Sequence, residues 1–235
     1  MLGAASHDDL ARPFDRAQVR DHYACDIVGR KTVLIAPTWA YGEMLGHWGD
    51  DSALFEQLLA HIESLGANTV IRMHDTFRYS DEQRAKLAAL SRKHSGVVFK
   101  YKDEAPDNFI DLQIADVLVT NFSSIANLFY ATRRPTVHVN PALGADSELV
   151  WRTRTGGKLV EHRGTTRELW KMPPQENGGL LANSFDELLA QVEQALTDPK
   201  CCESQAQTFL DKHMLGGDGG NCARIDAAVE ALLAS

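Results

Sequence analysis

The chain has no long apolar run, no paired-cysteine motif and no excess of positive charge. Its apolar stretches fall far short of a membrane span. Its four cysteines, Cys25, Cys201, Cys202 and Cys222, form no C-x-x-C pair, so neither a zinc site nor a disulfide framework is indicated. Nine histidines are scattered without an H-x-x-x-H pair, and no protein-bound metal is expected. A net charge of -8 lacks the basic face of a general nucleic-acid binder, while still allowing a local basic pocket for a nucleotide. The start, Met1 to Asp9, is acidic and has no basic region; it does not read as a signal peptide, and a cytoplasmic protein is expected. Three phosphate or nucleophile signatures are also missing. No G-x-G-x-x-G follows the first strand, no G-K-[ST] marks a P-loop, and no G-x-S-x-G elbow marks a serine hydrolase.

What is present is a regular alternation. Of 235 residues, 44% are hydrophobic, enough for one large core or two small ones. Strands are expected at Thr32–Pro37, Asn68–Met73, Val97–Tyr101, Val117–Val119, Thr136–Val139 and Leu180–Ala182. Between them lie helical patterns. One is Asp51–Leu65, with Leu54, Phe55, Leu58, Leu59, Ile62 and Leu65 on one face; others are Ser80 to about Lys93, Phe109–Ile114 and Ile125–Ala131. Capping boxes stand at Ser80–Gln83 and Ser184–Glu187, the second opening a helix to about Leu196. Pro199 restarts a helix toward Lys212, and Asn221 is expected to cap a last helix with Ile225, Val229, Leu232 and Leu233 inward. Pro141 to Gly179 reads as a long surface excursion or a short hairpin. This order predicts an α/β fold with a Rossmann-like, doubly wound parallel sheet.

In such a sheet, ligands bind beyond the carboxyl ends of the strands. Thr38, His74, Asn121 to Ser124 and Asn140 fall at those ends. The turn Asn121-Phe122-Ser123-Ser124 joins an apolar strand to a helix start. Two hydroxyls and unpaired helix N–H groups suit a phosphate there; the plainer alternative is a strand–turn–helix with serine caps. Thr38 can hydrogen-bond a phosphate or cap a turn. His74 can act as general acid or base, or stabilise phosphate charge, and is otherwise structural. Gly216–Gly220 before the last helix makes an anion-friendly nest or a connector.

Taken together, Lys31–Trp39 (KTVLIAPTW), Ile71–His74, Ala115–Ile125, Arg134-Pro135, Gly178–Leu189 and Phe209–Ile225 resemble the CDP-glycerol glycerophosphotransferase family, polymerases and primases of teichoic acids and related capsules. The match runs over roughly residues 30–233, with a break from Pro141 to Lys171. The resemblance implies the donor-binding, C-terminal half of a glycosyltransferase-B-type fold, with residues 30–235 as that domain and 1–29 as the inter-domain crossing. It maps the donor diphosphate to Ser123 and Ser124, with Thr38 and Asn121 beside them, and activity to His74. Ser184, Asp218 and Gly219 follow as nucleotide-loop candidates. The implied reaction moves glycerol phosphate from CDP-glycerol to a polymer or lipid-linked hydroxyl, releasing CMP, at the inner face of the cell membrane. CDP-glycerol is substrate here, and no cofactor is implied.

Three departures stand out. Asn121-Phe122 replaces the family's Asp-Tyr, and the family's Asp…Tyr…Arg-Gly segment is not clear in Pro141–Gly164. The family's N-terminal half is missing, so the chain reads as a fragment, a truncated frame or one partner of a split enzyme. A nucleotide-sugar (UDP-type) glycosyltransferase or epimerase half, and a non-catalytic assembly domain, are the alternatives.

Overall fold

The computed structural model describes residues 4–38, 44–74, 79, 81–140, 148–155, 158–165, 173–214 and 218–234. The strands are β1 (Thr32–Ile35), β2 (Asn68–Met73), β3 (Val97–Tyr101), β4 (Val117–Thr120), β5 (Thr136–Val139), β6 (Glu148–Thr155), β7 (Lys158–Thr165) and β8 (Leu180–Ala182). Six of them form one sheet in the order β3-β2-β1-β4-β5-β8, with every pair parallel. The helices are α1 (Ser6–Leu10), α2 (Asp51–Ser64), α3 (Asp81–Lys93), α4 (Phe109–Ile114), α5 (Ile125–Phe129), α6 (Phe185–Thr197), α7 (Glu203–His213) and α8 (Asn221–Leu233).

The central strands are buried on both faces, as a parallel sheet requires. Successive side chains alternate between two cores. Val33, Ile35, Ile71, Val117 and Val119 pack with Leu58, Leu59 and Ile62 of α2 and Leu188 and Val192 of α6. Leu34, Val70 and Leu118 pack on the other side with Leu112 and Ile114 of α4, Phe129, and Phe209 and Leu210 of α7. Leu10, Tyr23 and Ile27, from the segment before β1, belong to this second core. Each such apolar side chain contributes about 1.5–3 kcal/mol by burial.

The doubly wound expectation holds, and several local expectations need correction. Leu65 lies just past α2 and is 37% exposed, so it leaves the core face. Of the two readings of the stretch after Pro141, the hairpin is the one found: β6 with β7, paired from Glu148↔Thr165 to Thr155↔Lys158. The helix after Pro199 starts only at Glu203, beyond a turn. Ser80, offered as a cap, lies outside the described residues. Ser184 does cap α6, accepting from Glu187 N–H at 3.2 Å. Glu187 answers to the Asn183 N–H at 2.8 Å, one residue before the position a capping box would use.

The last helix differs most. Gly220, not Asn221, occupies the cap position. Asp8 of α1 does the capping from a distance: its carboxylate accepts from Asn221 N–H at 3.0 Å, Asn221 Nδ2 at 2.7 Å and Cys222 N–H at 2.7 Å. Burial pushes the Asp8 pKa up, but these bonds outweigh it and hold the group down to about 2. Val229, Leu232 and Leu233 are 47%, 75% and 84% exposed rather than inward. The apolar spacing is real, but nothing among the described residues covers that face.

Candidate functional site

The chain leaves β1 to build β2 and β3 on one side, then returns to place β4 on the other. The topological switch point is therefore the crevice between the carboxyl ends of β1 and β4. Ile35 is level with both Ile71 of β2 and Val119 of β4. The chain just beyond these three residues carries Thr38, His74 and Asn121 to Ser124.

Thr38 and Asn121 close the crevice floor. The Asn121 side-chain oxygen accepts from the Thr38 N–H at 2.9 Å and from its hydroxyl at 2.5 Å. Thr120 adds a second tie, its hydroxyl donating to the Ala36 carbonyl at 2.6 Å. Both Thr38 donors are thus committed to Asn121, and the Asn121 amide nitrogen is left as the group able to donate. An aspartate at 121 would accept from Thr38 equally well but would add a negative charge and remove that donor.

The serines behave differently from the expected caps. Ser124 sits at the cap position of α5 with helical backbone (φ -62°, ψ -13°) and makes no side-chain cap. A capping side chain reaches back to the first turn from an extended backbone, which Ser124 does not have. Ser123 Oγ only just reaches the Ile125 N–H, at 3.5 Å. Ser124 is exposed and Ser123 half-buried. Their hydroxyls are therefore largely uncommitted, while α5 is only one turn long before it tightens into a 3-10 turn at Tyr130–Thr132.

Beneath this turn lies a buried polar pair with no place in the sequence reading. His138 Nδ1 donates to the Asn121 backbone carbonyl at 2.8 Å, and the Tyr130 hydroxyl meets His138 Nε2 at 2.7 Å. Burial pushes the His138 pKa down to about 4, although the Asn121 bond pulls the other way. The sequence signal was a histidine inside the otherwise apolar strand TVHV.

His74 is half-buried, and its N–H donates to the Tyr79 hydroxyl at 3.2 Å. It follows β2 at the same end of the sheet as Thr38, three residues beyond Ile71, whose partner in β1 is Ile35. Ser184 lies at the same sheet end but beyond β5, where Asn140 donates to Asn183 at 2.8 Å. Asp218 and Gly219 precede α8, with Gly219 at φ +74°. Among the described residues no hydrogen bond joins them to Ser123 or Ser124. The fold thus groups Thr38, Asn121, Ser123 and Ser124, puts His74 at the end of the neighbouring strand, and leaves Ser184, Asp218 and Gly219 on separate elements.

A family model for CDP-glycerol:poly(glycerophosphate) glycerophosphotransferases matches residues 7–231. The chain belongs to this family. A comparison with curated protein sequences finds no match. Among solved structures, the wall teichoic acid polymerase TagF is similar, with 14% identity and a TM-score of 0.62 over 97% of this chain and 50% of that one. A putative UDP-N-acetylglucosamine 2-epimerase from Listeria monocytogenes is similar at 15% identity and a TM-score of 0.57, over 99% and 53%. Sucrose-phosphate synthase from Thermosynechococcus elongatus follows at 16% identity and a TM-score of 0.51, over 99% and 52%. The chain spans about half the length of each, and these likenesses bear out a glycosyltransferase-B-type fold.

Two motifs that resemble those of the glycerophosphotransferase family have structural work here. The Arg134 guanidinium donates to the carbonyls of Leu112 and Gln113 at 2.8 Å, and to that of Ala115, closing the end of α4. Burial lowers the Arg134 pKa to about 10, which leaves it charged. In the D-G…R-I segment, Asp218 takes a two-pronged bond from Arg224 at 2.8 and 2.9 Å, and that bond lowers the Asp218 pKa. Arg224 also donates to Asn221 at 2.7 Å. This loop is therefore braced internally before any ligand arrives.

Proposed function

We propose that residues 30–235 form the donor-binding domain of a glycerophosphotransferase, with 1–29 as its inter-domain crossing. The donor is CDP-glycerol or another CDP-linked alditol phosphate, and the acceptor is a hydroxyl of a cell-surface polymer or a lipid-linked precursor. The observation that carries this reading is the Thr38–Asn121 closure at the switch point, with Ser123 and Ser124 beside it. Neutral donors ring the place where a diphosphate would lie, which suits an anion in a chain of net charge -8.

In the step, an acceptor hydroxyl oxygen attacks the phosphorus that bears glycerol. The bond to the CMP oxygen breaks, and CMP leaves with the electron pair. His74 accepts the hydroxyl proton or stabilises the phosphate charge. The Asn121 amide and the two serine hydroxyls hold the diphosphate. Asp218 and Gly219, braced by Arg224, and Ser184 flank the nucleotide. A second, N-terminal half would supply the acceptor surface at the inner membrane face. Among the described residues no helix is long and apolar enough to cross a membrane.

Titration calorimetry tests the donor. CDP and CDP-glycerol are expected to bind, with transfer by this chain alone weak or absent. No heat with any cytidine nucleotide at millimolar concentration would sink the assignment. Preference for UDP-N-acetylglucosamine would select the nucleotide-sugar reading, which the epimerase likeness supports. Unchanged binding and activity after His74→Ala and Ser123→Ala, in the enzyme supplied with its other half, would select a non-catalytic assembly domain.

A further inference from the structure

We propose that Tyr130 and His138 are positioning residues for the crevice: they hold the Asn121 backbone carbonyl, and through it the side chain that fixes Thr38. This deepens the donor-binding reading and rests on it.

The direction of every bond follows from chemistry. The Asn121 carbonyl can only accept, so His138 carries its proton on Nδ1. The neutral ring then offers Nε2 as an acceptor, and the Tyr130 hydroxyl donates to it. The chain of bonds thus runs from Tyr130 through His138 to Asn121, then across the crevice to Thr38.

Tyr130 is fully buried and His138 is 1% exposed, so neither reaches a ligand directly. The Asn121 carbonyl lies one residue beyond Thr120↔His138, the last pair of β4 with β5. A side-chain donor must meet it, because the ladder has ended. The far end is rigid. The Tyr130 ring packs on Phe209 of α7 at 4.7 Å, and a Cβ at Gly178 would meet the Tyr130 ring and Ala206 at 3.1 Å. Gly178 must therefore stay small for the Tyr130 ring to keep this place. The Asn121 turn is braced from below by α7 and the approach to β8, rather than by the short helix that follows it.

The experiment uses the full chain, labelled with nitrogen-15, and three substitutions. His138→Phe removes the donor, His138→Asn keeps an N–H near the Nδ1 position, and Tyr130→Phe removes only the hydroxyl. Two quantities are read: hydrogen exchange of the Thr38 amide, and CDP affinity by calorimetry. His138→Phe is expected to speed Thr38 exchange and weaken CDP binding, each by about tenfold or more. His138→Asn is expected to recover most of both, and Tyr130→Phe to fall between. The positioning role is overturned if folded His138→Phe, or Tyr130→Phe should the first not fold, keeps both quantities within about twofold of the parent. It is equally overturned if Thr38 exchange rises while CDP affinity does not change. If the parent chain binds no CDP, the donor reading falls, and Thr38 exchange alone decides whether the brace exists.

Discussion

Around Asp111, a single buried carboxylate takes Arg72 at 2.9 Å, Lys100 at 2.7 Å and the Tyr23 hydroxyl. At the crevice, Asn121, Thr38, His138 and Tyr130 bond to one another without a formal charge. The first cluster is closed by its own counter-ions, and it locks the segment before β1 onto β2, β3 and α4. Arg16 adds a two-pronged bond to Asp116 at 2.7 and 3.0 Å on the same side. The second cluster spends its bonds on shape, and no carboxylate takes part in those bonds. The difference separates a region held together by charge from one held together by neutral hydrogen bonds.

The sharpest way to break that comparison is Asp111→Asn. It leaves the buried Arg72 and the half-buried Lys100 without a partner charge, and about 3–5 kcal/mol of stability is expected to go in urea unfolding. A loss as small as that of an exposed pair would mean that the cluster does not lock the leader. Asp8→Asn comes next, removing a charged acceptor from the start of α8, with about 1–2 kcal/mol lost in thermal melts near neutral pH. Because the folded-state pKa of Asp8 is depressed to about 2, its contribution is present above the ordinary carboxylate pKa. The gap between parent and variant should close as pH falls from about 4 toward 2. Asn121→Ala tests the neutral side: about 1 kcal/mol of stability is expected to go, together with Thr38 amide protection in exchange measurements. The smallest effect is expected from Leu233→Ser on the uncovered face of α8, within about 0.5 kcal/mol of the parent in urea. A larger loss would show that this face is covered after all.

Much of the frame is legible in the sequence. Buried strands such as TVLI and NTVIRM announce themselves by unbroken apolar runs, and the helical stripe Leu58, Leu59 and Ile62 by its period. The crevice was legible as a set of strand-end positions, because a doubly wound sheet fixes where such ends gather. Its bonding was not. Nothing in the spacing of Thr38 and Asn121, 83 positions apart, says that one side-chain oxygen will take both threonine donors. His138 reads as one letter of a strand, since an apolar pattern reports burial and not the carbonyl that a buried imidazole must meet. Asn221 reads as a helix cap, yet Asp8 supplies the capping oxygen from 213 positions away.

The sequence by itself determined which segments are buried and in what order they alternate, because burial and period are local properties. It also carried, as a series of short motifs, the membership of the glycerophosphotransferase family. Tertiary structure alone decided which polar groups are spent on each other and which remain able to bind. Those choices depend on distances between residues far apart in the chain. A hydrogen bond needs its partner within about 3 Å, and only the packed sheet brings Thr38, Asn121 and His138 that close.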